Sequence, residues 1–152
     1  MRLTLRILSL LLVLSVTGTA LGASQRKVPA YEKYIKQYSS LAIQHQKKYR
    51  IPASITLAQG LLESGAGRSE LVRKSNNHFG IKCHSDWRGG RVYHDDDLRG
   101  ECFRKYKNPE QSYEDHARFL VDRPRYASLF KLKITDYKGW ARGLQKCGYA
   151  TD

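Results

Sequence analysis

Glu63 is the residue around which a reaction is most readily built. It is the only carboxylate between Glu32 and Glu70, and it ends an apolar run of Ile55, Leu57, Ala58, Leu61 and Leu62. Burial disfavours the charged form of a carboxyl group and raises its pKa. The partial negative charge of a helix C-terminus pushes the same way. A carboxyl kept protonated near neutral pH can donate a proton, and departure of a sugar oxygen in glycoside cleavage requires such a donor. The competing interpretation is a surface glutamate at a frayed helix end, because many perturbed carboxylates are structural.

Glycoside hydrolysis commonly pairs two carboxyl groups, roughly 6.5–9.5 Å apart when the outcome is inverting and about 5–5.5 Å when it is retaining. Four acids cluster in one short segment, Asp95, Asp96, Asp97 and Glu101. Strand alternation puts Asp95 and Asp97 on one face and His94 and Asp96 on the other. Asp95 and Asp97 are therefore favoured over Glu101, and Asp96 is set aside. The alternative for the aspartate run is a solvated turn, calcium-like in composition but without a complete calcium loop. Phe79, Trp87 and Tyr93 offer rings that either stack on sugars or fill a core. The five histidines form no Ser-His-Asp or Cys-His pattern. Cys83, His84 and His94 lack a fourth ligand at a recognisable interval. No metal and no cofactor are expected.

These residues need elements to hold them. Tyr31, Tyr34, Ile35, Tyr38, Leu41 and Ala42 recur at three- and four-residue steps, which predicts a first helix. Ile51-Pro52 interrupts the chain, and Pro52 suits the first turn of a second helix ending near Ser64. That helix is apolar nearly all round, as core helices are. Gly65 and Gly67 stop it. Ser69 to Val72 reads as a short helix. Ile81 to Tyr106 holds strand formers between Gly89-Gly90 and Gly100, which predicts a hairpin or three-stranded ribbon. Asn108-Pro109 opens another helix, ended by Pro124, and Thr135 caps a last one stopped by Gly148. The sum is an α+β, mainly helical domain with one β-insert.

The N-terminus reads differently. A basic start with Arg2 and Arg6 precedes the apolar stretch Ile7 to Val16, and Ala20-Leu21-Gly22 offers a small-x-small cleavage site. Residues 1–22 therefore read as a secretory signal peptide. A membrane anchor would need about 20 apolar residues. Residues 23–30 read as a polar linker and 31–152 as the domain, secreted or periplasmic and without stable membrane insertion after cleavage. The net charge is +13. Export removes most nucleic acid from reach, so nucleic acid is not the expected partner. Another polyanion such as the bacterial wall fits, as does a basic surface serving solubility alone. The protein is expected to act as a monomer. Three cysteines in an exported chain allow one disulfide and leave one thiol. Cys83 and Cys102 flank the hairpin and are the expected pair, with Cys147 free.

Ala58-Gln59-Gly60-Leu61-Leu62-Glu63-Ser64-Gly65-Ala66-Gly67 resembles the AQ-x-x-LESGWG motif of glycoside hydrolase family 73, the peptidoglycan endo-β-N-acetylglucosaminidases. Asn77 to Lys82, Phe103 to Tyr106 and Gly148 to Asp152 are similar to that family's N-x-FGIK, FRxY and GYATD stretches. The resemblance implies a lysozyme-like fold with a small β-hairpin lobe beside a groove. It implies hydrolysis of the β-1,4 bond after N-acetylglucosamine in the glycan strands of peptidoglycan. Glu63 then matches the general acid, and Tyr149 the tyrosine near the scissile sugar. Asn77, Phe79 and Gly80 fall where the family lines its groove, and Trp87 and Tyr93 are further substrate-binding candidates. Ala66 departs from the motif's tryptophan. Relatives continue through another helix, so the domain is expected to be truncated at its C-terminus. Two other readings compete: a lytic transglycosylase on the same glycan, and a non-catalytic wall-binding module.

Overall fold

The computed structural model describes residues 28–96 and 98–149. The signal segment, Asp97 and Ala150 to Asp152 lie outside the described residues. Among the described residues no helix is long and apolar enough to cross a membrane.

Helix α1 spans Pro29–Tyr49, so the last two residues of the expected linker belong to it. Its buried side is Tyr34, Ala42 and His45, flanked by half-buried Tyr38 and Leu41. Tyr31 and Ile35, expected on that side, are 42% and 44% exposed. Arg50 takes a left-handed conformation and ends the helix. Ile51 then drops into the core. Helix α2, Ala53–Glu63, packs against α1. Its first turn is tied down by Gln46, whose Oε1 accepts from the Ala53 N–H at 2.8 Å. The expectation of a wholly buried helix is corrected here. Ile55, Thr56, Gly60 and Leu61 are buried, but Leu62 is 70% exposed and Glu63 is open on one side. Gly65, Ala66 and Gly67 all have positive φ and reverse the chain sharply.

Helix α3, Glu70–Ser75, starts at Ser69, whose hydroxyl accepts from the Val72 N–H. The chain then reaches an antiparallel pair, β1 (Gly90–His94) and β2 (Glu101–Lys105), in which Val92 faces Phe103 and Tyr93 faces Cys102. The expected third strand amounts to one bridge, Lys82 to Phe103. A disulfide joins Cys83 to Cys102 across this bridge, and Cys147 is a free thiol. Helix α4, Pro109–Val121, is capped by Asn108. Buried Arg104 fastens the hairpin to α4 with two 3.0 Å bonds to Asp115, and its guanidinium lies 4.6 Å from the Trp87 ring.

A 3₁₀ helix, Pro124–Lys131, and α5, Tyr137–Lys146, close the domain. Asp136, not Thr135, caps α5, because its carboxylate accepts from the Gly139 N–H at 2.9 Å. Tyr137 is accordingly left on the outside. The main core joins Ile51, Ile55, Ala117, Leu120, Tyr126, Leu129, Trp140 and Leu144. A second cluster of Tyr34, Leu61 and Ala66 lies beneath the end of α2.

Candidate active site

The end of α2 is held from below by a buried polar cluster. The Tyr34 hydroxyl lies 2.9 Å from both His78 Nδ1 and the Tyr113 hydroxyl. Gly60 permits this approach, since a Cβ there would stand 2.5 Å from the Tyr34 oxygen. Ser64 closes the helix, donating to the Gly60 carbonyl and accepting from the Gly67 N–H. Burial pushes Tyr34 up to about 12 and His78 down to about 4, so both stay neutral. The last turn of α2, and with it Glu63, has little freedom to tilt.

Glu63 borders a groove of about 790 Å³. Desolvation raises its pKa, and the negative charge of Asp96 raises it further. The loop after Asn77 runs against the carboxyl: a Cβ on Gly80 would lie 3.6 Å from Glu63 Oε2. Asn77 itself is fully buried. Its Nδ2 donates to the carbonyls of Ile81 and Arg104, both at 2.9 Å, and its Oδ1 accepts from the Ile81 N–H at 3.1 Å. The amide is thus spent on shaping the loop. Phe79 and Gly80 do line the groove. Phe79 stacks on His116, with ring centroids 3.9 Å apart. His116 is buried, bonded to Gln59 through Nε2 and pushed down to about 3 by that burial.

Tyr149 enters the groove from the other end of the chain. Its ring meets those of His116, Phe119 and Tyr126. Among the described residues its buried hydroxyl has no hydrogen-bond partner. Burial and then the charge of Glu63 raise its pKa, so it remains a neutral O–H. A buried hydroxyl without a partner is uncommon and calls for an explanation.

The hairpin acids are arranged differently from simple alternation. Strand β1 ends at His94, so the period of two does not extend through the aspartates. Asp95 turns back and accepts from the Gly100 N–H at 2.7 Å. Glu101 accepts from Lys82 at 2.8 Å and from the Leu98 N–H at 3.2 Å. Asp97 lies outside the described residues. Asp96 is the described hairpin acid that lines the groove with Glu63.

Trp87 and Tyr93 do not reach this groove. The Trp87 indole donates to the Gly90 carbonyl at 2.8 Å and packs against Arg104 and Tyr106. Tyr93 borders a smaller depression with Glu70, His94 and Asp95. Conversely, Leu62, Lys82, His84, Phe119 and Arg125 line the groove, and none of them was a substrate-binding candidate from the sequence. Leu62 carried one signal, an apolar residue immediately before the acid. The others come from segments distant in the chain. Among the described residues no group of acids, histidines and cysteines could hold a metal ion.

Known proteins resemble this chain in sequence and in fold. Residues 39–152 match the glucosaminidase family, described as mannosyl-glycoprotein endo-β-N-acetylglucosaminidase. The chain is 33% identical over 137 residues to the peptidoglycan hydrolase FlgJ of Vibrio parahaemolyticus, covering 83% of this chain and 44% of that protein. It is 38% identical over 120 residues to the exo-glucosaminidase LytG of Bacillus subtilis, covering 70% and 41%. It therefore spans less than half the length of these relatives. The crystal structure of a peptidoglycan hydrolase from Sphingomonas sp. A1 superposes with a TM-score of 0.70 at 34% identity, covering 80% of each chain. The glycoside hydrolase domain of Salmonella typhimurium FlgJ gives 0.67 at 28% identity, covering 80% of this chain and 79% of that one. With a family match over most of its length and the same lysozyme-like architecture, the chain belongs to the glucosaminidase family of glycoside hydrolases.

Proposed function

We propose that this protein hydrolyses the β-1,4 bond after N-acetylglucosamine in the glycan strands of peptidoglycan, with Glu63 as general acid. The observation that carries the reading is Glu63 itself: a carboxyl of raised pKa, on a braced helix end, in a groove large enough for a glycan. Protonated Glu63 gives its proton to the departing glycosidic oxygen. The sugar left behind develops positive charge at its anomeric carbon. Asp96, which alternation had set aside, supplies the second carboxylate. It stabilises that charge and polarises the incoming water. Tyr149 donates its unpartnered hydroxyl to the substrate, at the acetamido group of the scissile sugar. Residues 1–22 deliver the protein out of the cytoplasm, where it acts on the wall as a monomer.

The test is digestion of purified peptidoglycan, followed by reduction and identification of the sugar at the new ends. Reduced N-acetylglucosamine ends support the reading, whereas anhydro-sugar ends would identify a lytic transglycosylase. Glu63→Gln should reduce turnover by about 10²–10⁴-fold, the usual contribution of a positioned proton donor, while circular dichroism stays unchanged. Near-normal activity in that variant would remove Glu63 from the mechanism.

A further inference from the structure

The groove carries positive charge that proton transfer does not use. Arg125, at the start of the 3₁₀ helix, lines it beside Gly148 and Tyr149. One of its terminal nitrogens donates to the Cys147 carbonyl, and its guanidinium lies 5.3 Å from the Tyr126 ring. That bond anchors the side chain while leaving further N–H groups of the fork uncommitted. Gly148 makes room for it, because a Cβ there would stand 2.8 Å from Arg125 Nη2. Among the described residues Arg125 has no carboxylate partner.

Two neighbours extend this feature. His84 also lines the groove; its Nδ1 is engaged by the Lys82 carbonyl at 2.8 Å, and its ring meets Phe119 at 5.7 Å. The Arg123 guanidinium lies 3.6 Å from the centre of the same Phe119 ring, again without a carboxylate partner among the described residues. Between Arg123 and Lys146 the sequence holds seven lysines and arginines against one acid, Asp136. By contrast, Lys82 is already paired with Glu101. A neutral glycan gives such a fork nothing to pair with, whereas a carboxylate accepts two of its hydrogen bonds at once.

We propose that Arg125, assisted by His84 and the field of Arg123, forms a subsite for a carboxylate carried by the peptide stem of the glycan. The inference rests on the wall-glycan reading above and adds to it a determinant of substrate choice. Arg125 takes no part in proton transfer. It holds the acidic substituent at one place in the groove and so sets which sugar spans Glu63.

The experiment compares three soluble preparations of wall glycan: stem-bearing strands, the same strands with their carboxylates converted to amides, and strands stripped of stems by an amidase. Wild type, Arg125→Gln and Arg125→Lys are each assayed for kcat and KM, with folding followed by thermal unfolding. The wild type should prefer stem-bearing over amidated strands by about tenfold through KM, the scale of one charge-assisted contact. Arg125→Gln should abolish that preference, and Arg125→Lys should restore part of it. Stripped strands expose the lactyl carboxylate that stem attachment holds as an amide, and they should show the higher KM of amidated strands; a KM as low as that of stem-bearing strands would overturn the assignment to the stem. Indifference of the wild type to amidation would overturn the subsite, and that result does not depend on the variants folding. An equal loss on charged and amidated strands in Arg125→Gln would also overturn it. Failure of the wild type to cleave any of the three would instead defeat the wall-glycan reading, and the subsite with it.

Discussion

Replacement of Asn77 by alanine separates a scaffold residue from a substrate contact. The side chain is fully buried and makes bonds of 2.9, 2.9 and 3.1 Å to Ile81 and Arg104, with a weaker one of 3.4 Å from the Phe79 N–H. Each neutral bond contributes about 1 kcal/mol net, and peptide groups left without partners in the interior add to the loss. The three good bonds give a destabilisation of about 3 kcal/mol. For a domain of this size, about 4 °C per kcal/mol puts the drop in melting temperature at roughly 12 °C. Asn77→Asp keeps the acceptor but loses both donors and buries a charge, so it should be the worse variant. The assay is thermal unfolding by circular dichroism, paired with kcat and KM well below the transition. Lost stability with KM nearly intact is the expected pattern. A variant that melts with the parent but has lost affinity for glycan would refute the argument and return Asn77 to the substrate.

Other consequences follow from the same geometry. On the proposed mechanism Glu63 acts protonated, so activity should be lost as pH rises through its raised pKa. Asp96→Asn removes one cause of that elevation and should move the alkaline limb of kcat/KM to lower pH; an unmoved limb would mean the two carboxyls do not interact. Serine at Cys83 or Cys102 opens a loop of 19-residue separation, which on chain-entropy grounds costs about 3 kcal/mol. Urea unfolding of the oxidised protein and of each serine variant measures it, and equal midpoints would rule out the bond. His78 and His116 are neutral in the fold, with pKa values lowered to about 4 and about 3. The unfolded chain binds these protons near pH 6.5 and the folded one does not, so stability is complete above that pH and falls below it. The slope approaches about 1.4 kcal/mol per pH unit for each histidine. Urea midpoints between pH 7 and pH 4.5 test it, and a flat profile would show that the rings are already charged or solvated in the fold.

Local chemistry made much of the fold legible. Pro29, Pro52 and Asn108-Pro109 mark helix starts whatever surrounds them, because a ring-locked φ and a capping side chain act within one turn. Glycines at 65, 67 and 148 mark stops for the same reason. The hairpin was legible from its strand formers, and the cysteine pair from its place at both ends of that hairpin. Glu63 stood out because a lone acid closing an apolar helix is unusual at the level of sequence.

Tertiary structure decided which side chains share the groove. Alternation assigns faces only while a strand lasts, and β1 ends at His94; in the turn beyond it, Asp95 closes onto Gly100 and Asp96 lines the groove with Glu63. Trp87 and Tyr93 have sugar-stacking chemistry, but the first packs on Arg104 and the second borders a separate depression. Asn77 lies inside a recognisable motif, yet burial commits its amide to the backbone. Lys82, His84, Phe119 and Arg125 come together from three separate segments. Local propensity has a range of a few residues, whereas a groove is made by long-range packing. The sequence by itself therefore determined the elements and the acid, and only packing determined what that acid faces.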